Sequence, residues 1–468
     1  MLRFAFCIAV LLSVASLPAA ELPSPDWKKV AAETLDHFSA LLRIDTSNPP
    51  GNETRAATYI QKALAAEGIP SRLFALEADR ANLVARLGGN GTRKPLLIMG
   101  HTDVVGVQRE KWTLDPFGAL RRDGYIYGRG ALDDKDNLTA ALIVMLLLKR
   151  TGVKLDRDVI FLAEAGEEGT TAVGIDFMVS RHWNEIEAEY ALAEGGGGVS
   201  RADQVRYMTV STTEKVPRGV TLVARGTAGH GSAPRQDNAV VRIASAVSRV
   251  GAWQAPMRLN DTTRAYFERL ATISTPEEAA RYNNLGNPAR APEIERYFAR
   301  NEIMHNSMLR TSVSPNIIRA GFRINVIPSE AEAVLDIRAL PDEDMTSFYA
   351  TLRKVIDDPS IELVPPKSGR PAGAPTRLDT EMFRALERVQ QRVYPGAITL
   401  PMLLAGATDM AQLRARGVQA YGIGPIVREQ DRLRGAAHGD DEKILETSLH
   451  KFVEFLWHAV LEAAASKQ

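Results

Sequence analysis

Residues 95–103 read PLLIMGHTD. The apolar run closes on Gly100 and passes straight into His101 and Asp103. A run this short, bounded by proline and glycine, predicts a strand covered on both faces rather than a helix. Runs of the same kind recur at 71–76, 82–87, 158–163 and 190–193, and again at 398–404 and 418–423. Helical patterns lie between and around them, at 26–42, 53–67, 137–148, 380–393 and 441–465. Strands alternating with helices predict an α/β fold with a mostly parallel sheet. The very apolar helix at 137–148 is too short to cross a bilayer.

Near residue 212 the pattern changes. Residues 219–225, 318–327 and 331–340 alternate with period two, and helices are predicted at 237–250 and 342–356. This reads as a smaller α+β unit with an antiparallel sheet, spanning 212–366. A polar, helix-prone stretch at 252–306 interrupts it as an insertion. Residues 365–375 are rich in proline and glycine and read as a linker. The larger domain is therefore expected in two parts, 21–211 and 367–468.

The 468 residues carry 57 Lys plus Arg and 57 Asp plus Glu, so the net charge is zero. That balance argues against a nucleic-acid partner. Arg3, the apolar run 4–17 and the small residues Ala19 and Ala20 have the layout of a signal peptide over 1–20. The expectation is an exported protein, periplasmic or secreted, with no stable membrane span in the mature chain. Cys7, the sole cysteine, falls in this leader. The mature chain would then have no disulfide, thiolate ligand or cysteine nucleophile.

Chemistry-bearing residues collect at the ends of the predicted strands. Ligands in parallel α/β sheets bind beyond the carboxyl ends of the strands. His101 stands there as a metal ligand or as a satisfied polar residue. Asp103, two positions on, faces the same way and can accept the other imidazole N–H. Asp133 and Asp134 follow the glycines of GRGA and precede the apolar helix, as a helix cap or as a bridge between two cations. Glu167 and Glu168 follow another apolar run, and Glu194 leads into four glycines, which would let a ligand approach. His438 precedes the last helix. Each alone has an ordinary structural reading. Together, two histidines and several carboxylates at separate strand ends make a nitrogen and oxygen donor set suited to divalent zinc.

The segments GHTDVV (100–105), GRGALDDK (128–135) and EEG (167–169), with Glu194 and the late His438, follow in order and spacing. They resemble the co-catalytic zinc peptidase family of aminoacylase, glutamate carboxypeptidase and succinyl-diaminopimelate desuccinylase. The likeness runs from about Asp26 to the C-terminus. The Glu194 glycine run leans toward the vacuolar-carboxypeptidase and N-acyl-amino-acid hydrolase branch. The resemblance implies two zinc ions per subunit, cobalt or manganese being possible in the same ligands. It implies His101, Asp133 and Glu194 around one, and Asp133, Glu168 and His438 around the other. Glu167 would be the general base and Asp103 would orient His101. The inserted unit would be the family's ferredoxin-like lid, through which a homodimer forms. In it His230, within GHGSAP (229–234), would reach the neighbouring subunit's site, and Asn325 and Arg338, on adjacent strands, would contact substrate. A non-proline cis peptide is implied at Asp133–Asp134. The implied activity is amide hydrolysis of a small peptide or N-acyl amino acid with a free carboxylate.

Rival readings are weaker. Ser232 beside His230 offers a serine hydrolase, but no G-x-S-x-G elbow is present. H-E-x-x-H is absent as well. A non-catalytic exported binding protein on the same fold would lack the base or a ligand, and all are present.

Overall fold

The computed structural model describes residues 24–466, apart from 203, 433 and 434. The leader expected at 1–20 lies outside them. The fold is α/β. A ten-stranded sheet runs, from one edge, Ser71–Ala75, Ala81–Leu87, Val159–Glu164, Leu96–His101, Tyr190–Ala193 and Gln419–Gly422, continuing through Gln204–Glu214. The centre is parallel: Leu96 pairs with Val159 and with Tyr190, and His101 with Glu164. The strands Leu96–His101 and Val159–Glu164 are buried throughout, which is why each reads as an unbroken apolar run.

Helix Lys135–Thr151 covers one face, flanked by Glu446–Ala464 and Trp27–Leu42. Its first fourteen residues, Lys135 to Leu148, are all buried. Gly152, in the left-handed region at φ 62°, ends it. Helices Ile175–Arg181 and Met410–Ala415 cover the other face. Among the described residues no helix is long and apolar enough to cross a membrane.

A five-stranded antiparallel sheet holds Val216–Pro217, Val220–Arg225, Ser312–Ala320, Glu330–Ala339 and Ile361–Val364. Helices Ala239–Ala252 and Met345–Ile356 pack on it and share its separate core. The run 318–327 is not one strand. Gly321 takes φ 61° and breaks it, so Ser312–Ala320 ends there and Val326–Ile327 pairs instead with Gly229–His230. Asn325 and Arg338 therefore do not lie on neighbouring strands of one sheet. The helices that interrupt this unit, from Asp261–Ala271 to Ile303–Met308, join a core containing Leu400 of the large sheet. The insertion's helices thus pack against the large domain, while its first residues, Trp253 and Ala255, stay with the small sheet.

Where the chain crosses between the sheets, Lys215 is fully buried. Its Nζ donates to Ser307 Oγ at 3.1 Å and Ser312 Oγ at 3.0 Å. Burial, aided by the charges of Arg310 and Arg338, pushes Lys215 down to about 7. An unfolded lysine holds its proton to about pH 10.4. Between those values the unfolded chain binds the extra proton, so stability rises with pH and the full penalty applies below about 7. Lys215→Met is expected to stabilise the protein more at pH 6 than at pH 9, by about 3 kcal/mol in urea denaturation. Equal shifts at both pH values would contradict this.

Candidate metal centre

The carboxyl ends of the parallel strands bring five side chains together. His101 ends its strand and is buried. Its Nε2 lies 2.9 Å from Asp133 Oδ1. On the far side, His438 Nε2 lies 3.0 Å from Asp133 Oδ2 and 2.8 Å from Glu168 Oε1. The two oxygens of Asp133 thus face different histidines. One donor atom each from His101, Asp133 and Glu194 lies within 4.8 Å of the others, and the same holds for Asp133, Glu168 and His438. The peptide Asp133–Asp134 is cis.

The electrostatics fit a cation pair. Burial opposes the charge on Asp133, but hydrogen bonds with His101 and His438 hold it well below the usual carboxylate range. Burial, then the charges of Asp133, Asp134 and Glu167, pushes Glu194 far above its ordinary value. So many acids in one buried place are costly without positive charge among them. Hydrogen bonds to Asp133 and Glu168 push the His438 imidazole up to about 10. Two imidazoles and three carboxylates, one shared, suit two zinc-like divalent ions.

Asp103 stands beside His101, with its carbonyl oxygen 2.9 Å and its carboxylate 3.6 Å from Nδ1. The carboxylate also accepts from Asn48 Nδ2 at 2.7 Å and from the main-chain N–H groups of Glu167 and Glu168, both at 3.1 Å. It holds the turn that carries Glu167 and Glu168. The glycines after Glu194 also have another reason. A Cβ on Gly196 would stand 2.2 Å from Gly422 O, and one on Gly197 2.4 Å from Pro425 O. Close strand packing requires them.

Glu167 has a partner that the sequence reading missed. Arg370 Nη2 donates to its Oε1 at 2.6 Å, while Nη1 donates to Asp409 Oδ1 at 2.7 Å. Burial and the Asp409 charge push Glu167 up to about 8, against the pull of His101 and Arg370. Burial, then the Asp409 charge, pushes the buried Glu164 carboxyl well above the usual carboxylate range. Arg370 lies in the stretch read as a linker, where no local pattern sets it apart from Lys367.

A second missed pair braces the loops that carry Asp133 and His438. Arg129 Nη1 donates to buried Glu442 Oε2 at 2.5 Å, and Leu132 N donates to Glu442 Oε1 at 2.8 Å. Removing one partner of such a pair strands the other charge. Glu442→Ala is expected to cost about 3–5 kcal/mol in urea denaturation and to weaken metal binding. A loss below about 1 kcal/mol would place it with surface pairs.

The expected lid residues stand apart from this cluster. His230 is exposed and shares a 2.7 Å hydrogen bond with Ser232 Oγ. Asn325 is exposed beside it, its carbonyl accepting from Gly231 N at 2.9 Å. Arg338 pairs through Nε with Asp336 at 2.9 Å.

The sequence model of Peptidase family M20/M25/M40 matches residues 97–462. The chain is 27% identical to the N-fatty-acyl-amino acid synthase/hydrolase PM20D1 of Homo sapiens over 405 residues, 83% of this chain and 78% of that protein. It is 27% identical to aminoacylase-1 of Homo sapiens over 439 residues, 92% of this chain and 94% of that protein. The M20 family metallo-carboxypeptidase Sso-CP2 of Sulfolobus solfataricus has the same fold. Its TM-score is 0.67 at 20% identity, covering 92% of this chain and 98% of that one.

Proposed function

The chain belongs to peptidase family M20/M25/M40, and we propose that it is an exported di-zinc amidohydrolase acting on N-acyl amino acids. Membership of the family makes it a metal-dependent hydrolase of the peptidase and amidohydrolase type. The observation that carries the two-metal site is the division of Asp133 between two groups of converging donors. Zinc would be held by His101, Asp133 and Glu194 on one side and by Asp133, Glu168 and His438 on the other. When bound, such ions act as Lewis acids and make water acidic enough to attack at neutral pH.

The chain's own residues supply the proton path. Arg370 occupies Oε1 of Glu167, which leaves Oε2 to take a proton from the attacking water. The same oxygen returns it to the departing amine as the C–N bond breaks. The products are a carboxylate and a free amino acid. Arg338 suits a substrate carboxylate, since a planar guanidinium binds it through two hydrogen bonds. Asn325 would contact substrate from the same unit. N-acyl amino acids are preferred to peptides because the curated relatives at 27% identity include an N-fatty-acyl-amino acid hydrolase and an aminoacylase. Export is supported by the leader-like composition of residues 1–20.

A homodimer through the smaller unit is also proposed. Phe322 and Ile324 are 84% and 103% exposed there, and Ile318 and Val241 of the same unit are exposed as well. Apolar exposure of that kind marks an interaction surface. His230, on the same unit, would reach the partner's site and donate to the carbonyl oxygen. Mixing His230→Ala with Glu167→Ala protein is expected to restore activity, since a mixed dimer then holds one intact site. No recovery would confine each site to one chain.

The test of the function is a hydrolysis screen of zinc-loaded protein with dipeptides, N-acetyl amino acids and long-chain N-acyl amino acids. Release of free amino acid from the N-acyl series, exceeding that from dipeptides, is the expected result. Turnover of dipeptides alone would make it a peptidase, and no turnover at all would remove the catalytic reading.

A further inference from the structure

A cavity of about 910 Å³ lies beside the ligand cluster. Its inner end is formed by residues next to three ligands: Leu132 before Asp133, Gly196 beyond Glu194, and Ala437 before His438. Its far wall is the helical insertion, through Tyr266, Tyr282, Tyr297, Met304 and Met308. Its floor is Met402 to Leu404 of the large sheet. Small-molecule sites typically measure roughly 300–1,000 Å³, so this one lies near the top of that range. An acetyl group or a single amino-acid side chain would leave most of it unfilled.

The charges of the cavity narrow its occupant. Among the described residues no lysine or arginine lines it. Its three acids are engaged with protein groups. Glu278 Oε2 accepts from Thr275 N at 2.9 Å in a helix cap. Glu302 Oε2 accepts from Tyr282 Oη at 3.2 Å and from His305 Nδ1 at 2.5 Å. Asp431 Oδ2 accepts from Tyr125 Oη at 2.8 Å. A succinyl or glutamyl group would bring a further carboxylate among these three acids, whereas a neutral chain meets methionine, leucine and tyrosine. Unbranched methionines fit themselves to flexible apolar ligands.

We infer that this cavity holds the acyl chain of the substrate, that the chain is a long unbranched aliphatic one, and that the insertion sets its length. The inference rests on the amidohydrolase reading above. It also gives the insertion's packing against the large domain a purpose, because only there do its helices wall a space that opens on the ligands.

The test is a series of N-acyl derivatives of one amino acid, from acetyl to dodecanoyl, together with calorimetric titration of dodecanoate. Each buried methylene contributes roughly a fourfold gain, so kcat/KM is expected to rise at least about 100-fold along the series. Met304→Trp and Met402→Trp, which fill the cavity, are expected to lower the dodecanoyl-to-acetyl ratio at least tenfold and to weaken dodecanoate binding. Equal kcat/KM for acetyl and dodecanoyl would overturn the inference while leaving the amidohydrolase reading intact. So would a ratio that neither substitution changes. Should no N-acyl amino acid of any length be hydrolysed, the proposed function fails and the dodecanoate titration alone judges the cavity. Binding that Met304→Trp weakens upholds it, and no binding overturns it.

Discussion

Glu167→Gln is expected to lower kcat by roughly 10²–10⁴-fold, the usual contribution of a positioned general base, while zinc content stays unchanged. The glutamine keeps the size of the side chain and can still accept from Arg370, whose Nη2 lies 2.6 Å from Oε1. It cannot take the proton at Oε2. Glu167 is absent from both groups of converging donors, so the metal should remain. Zinc analysis and steady-state kinetics on the same preparation check both halves. Activity within tenfold of the wild type would reassign the base, and loss of zinc would make Glu167 a ligand.

Asp133→Ala is the complementary case. Asp133 is common to both ligand groups, with one oxygen turned to His101 and the other to His438. Removing it takes a donor from each ion at once. Loss of a mere supporting contact behind a ligand typically costs 10–100-fold in metal affinity. Losing the shared ligand is therefore expected to weaken both zinc ions by at least about 100-fold and to abolish turnover. Zinc titration against a competing chelator measures this. One ion retained at wild-type affinity would show that Asp133 serves a single site.

Much of this was readable from residue order, for a physical reason. A strand covered on both faces must be apolar along its length, so 95–100 and 158–163 announced buried neighbours in one sheet. Parallel neighbours end on the same side, and His101 does stand opposite Glu164. The order of the short motifs then implied the ligand set around Asp133. What stayed illegible depends on chain segments folding back from a distance. Arg370 lies 203 residues from Glu167, in a proline- and glycine-rich stretch whose composition signals only a turn or a link. Glu442 reaches Arg129 across 313 residues, and no local pattern marks the pair. Asp103 was read from side-chain alternation along an extended strand, which gives no sign that its carboxylate also holds the main chain of Glu167 and Glu168. The insertion's periodicity revealed helices but not the surface they cover, which the apolar contacts with Leu400 decide.

The central claim, a pair of divalent ions sharing Asp133, is met most directly by anomalous diffraction from zinc-loaded crystals collected at the zinc edge. Two peaks about 3.5–4 Å apart, one on each side of the Asp133 carboxylate, are the predicted result. A single peak, or two peaks that do not share Asp133, would contradict it.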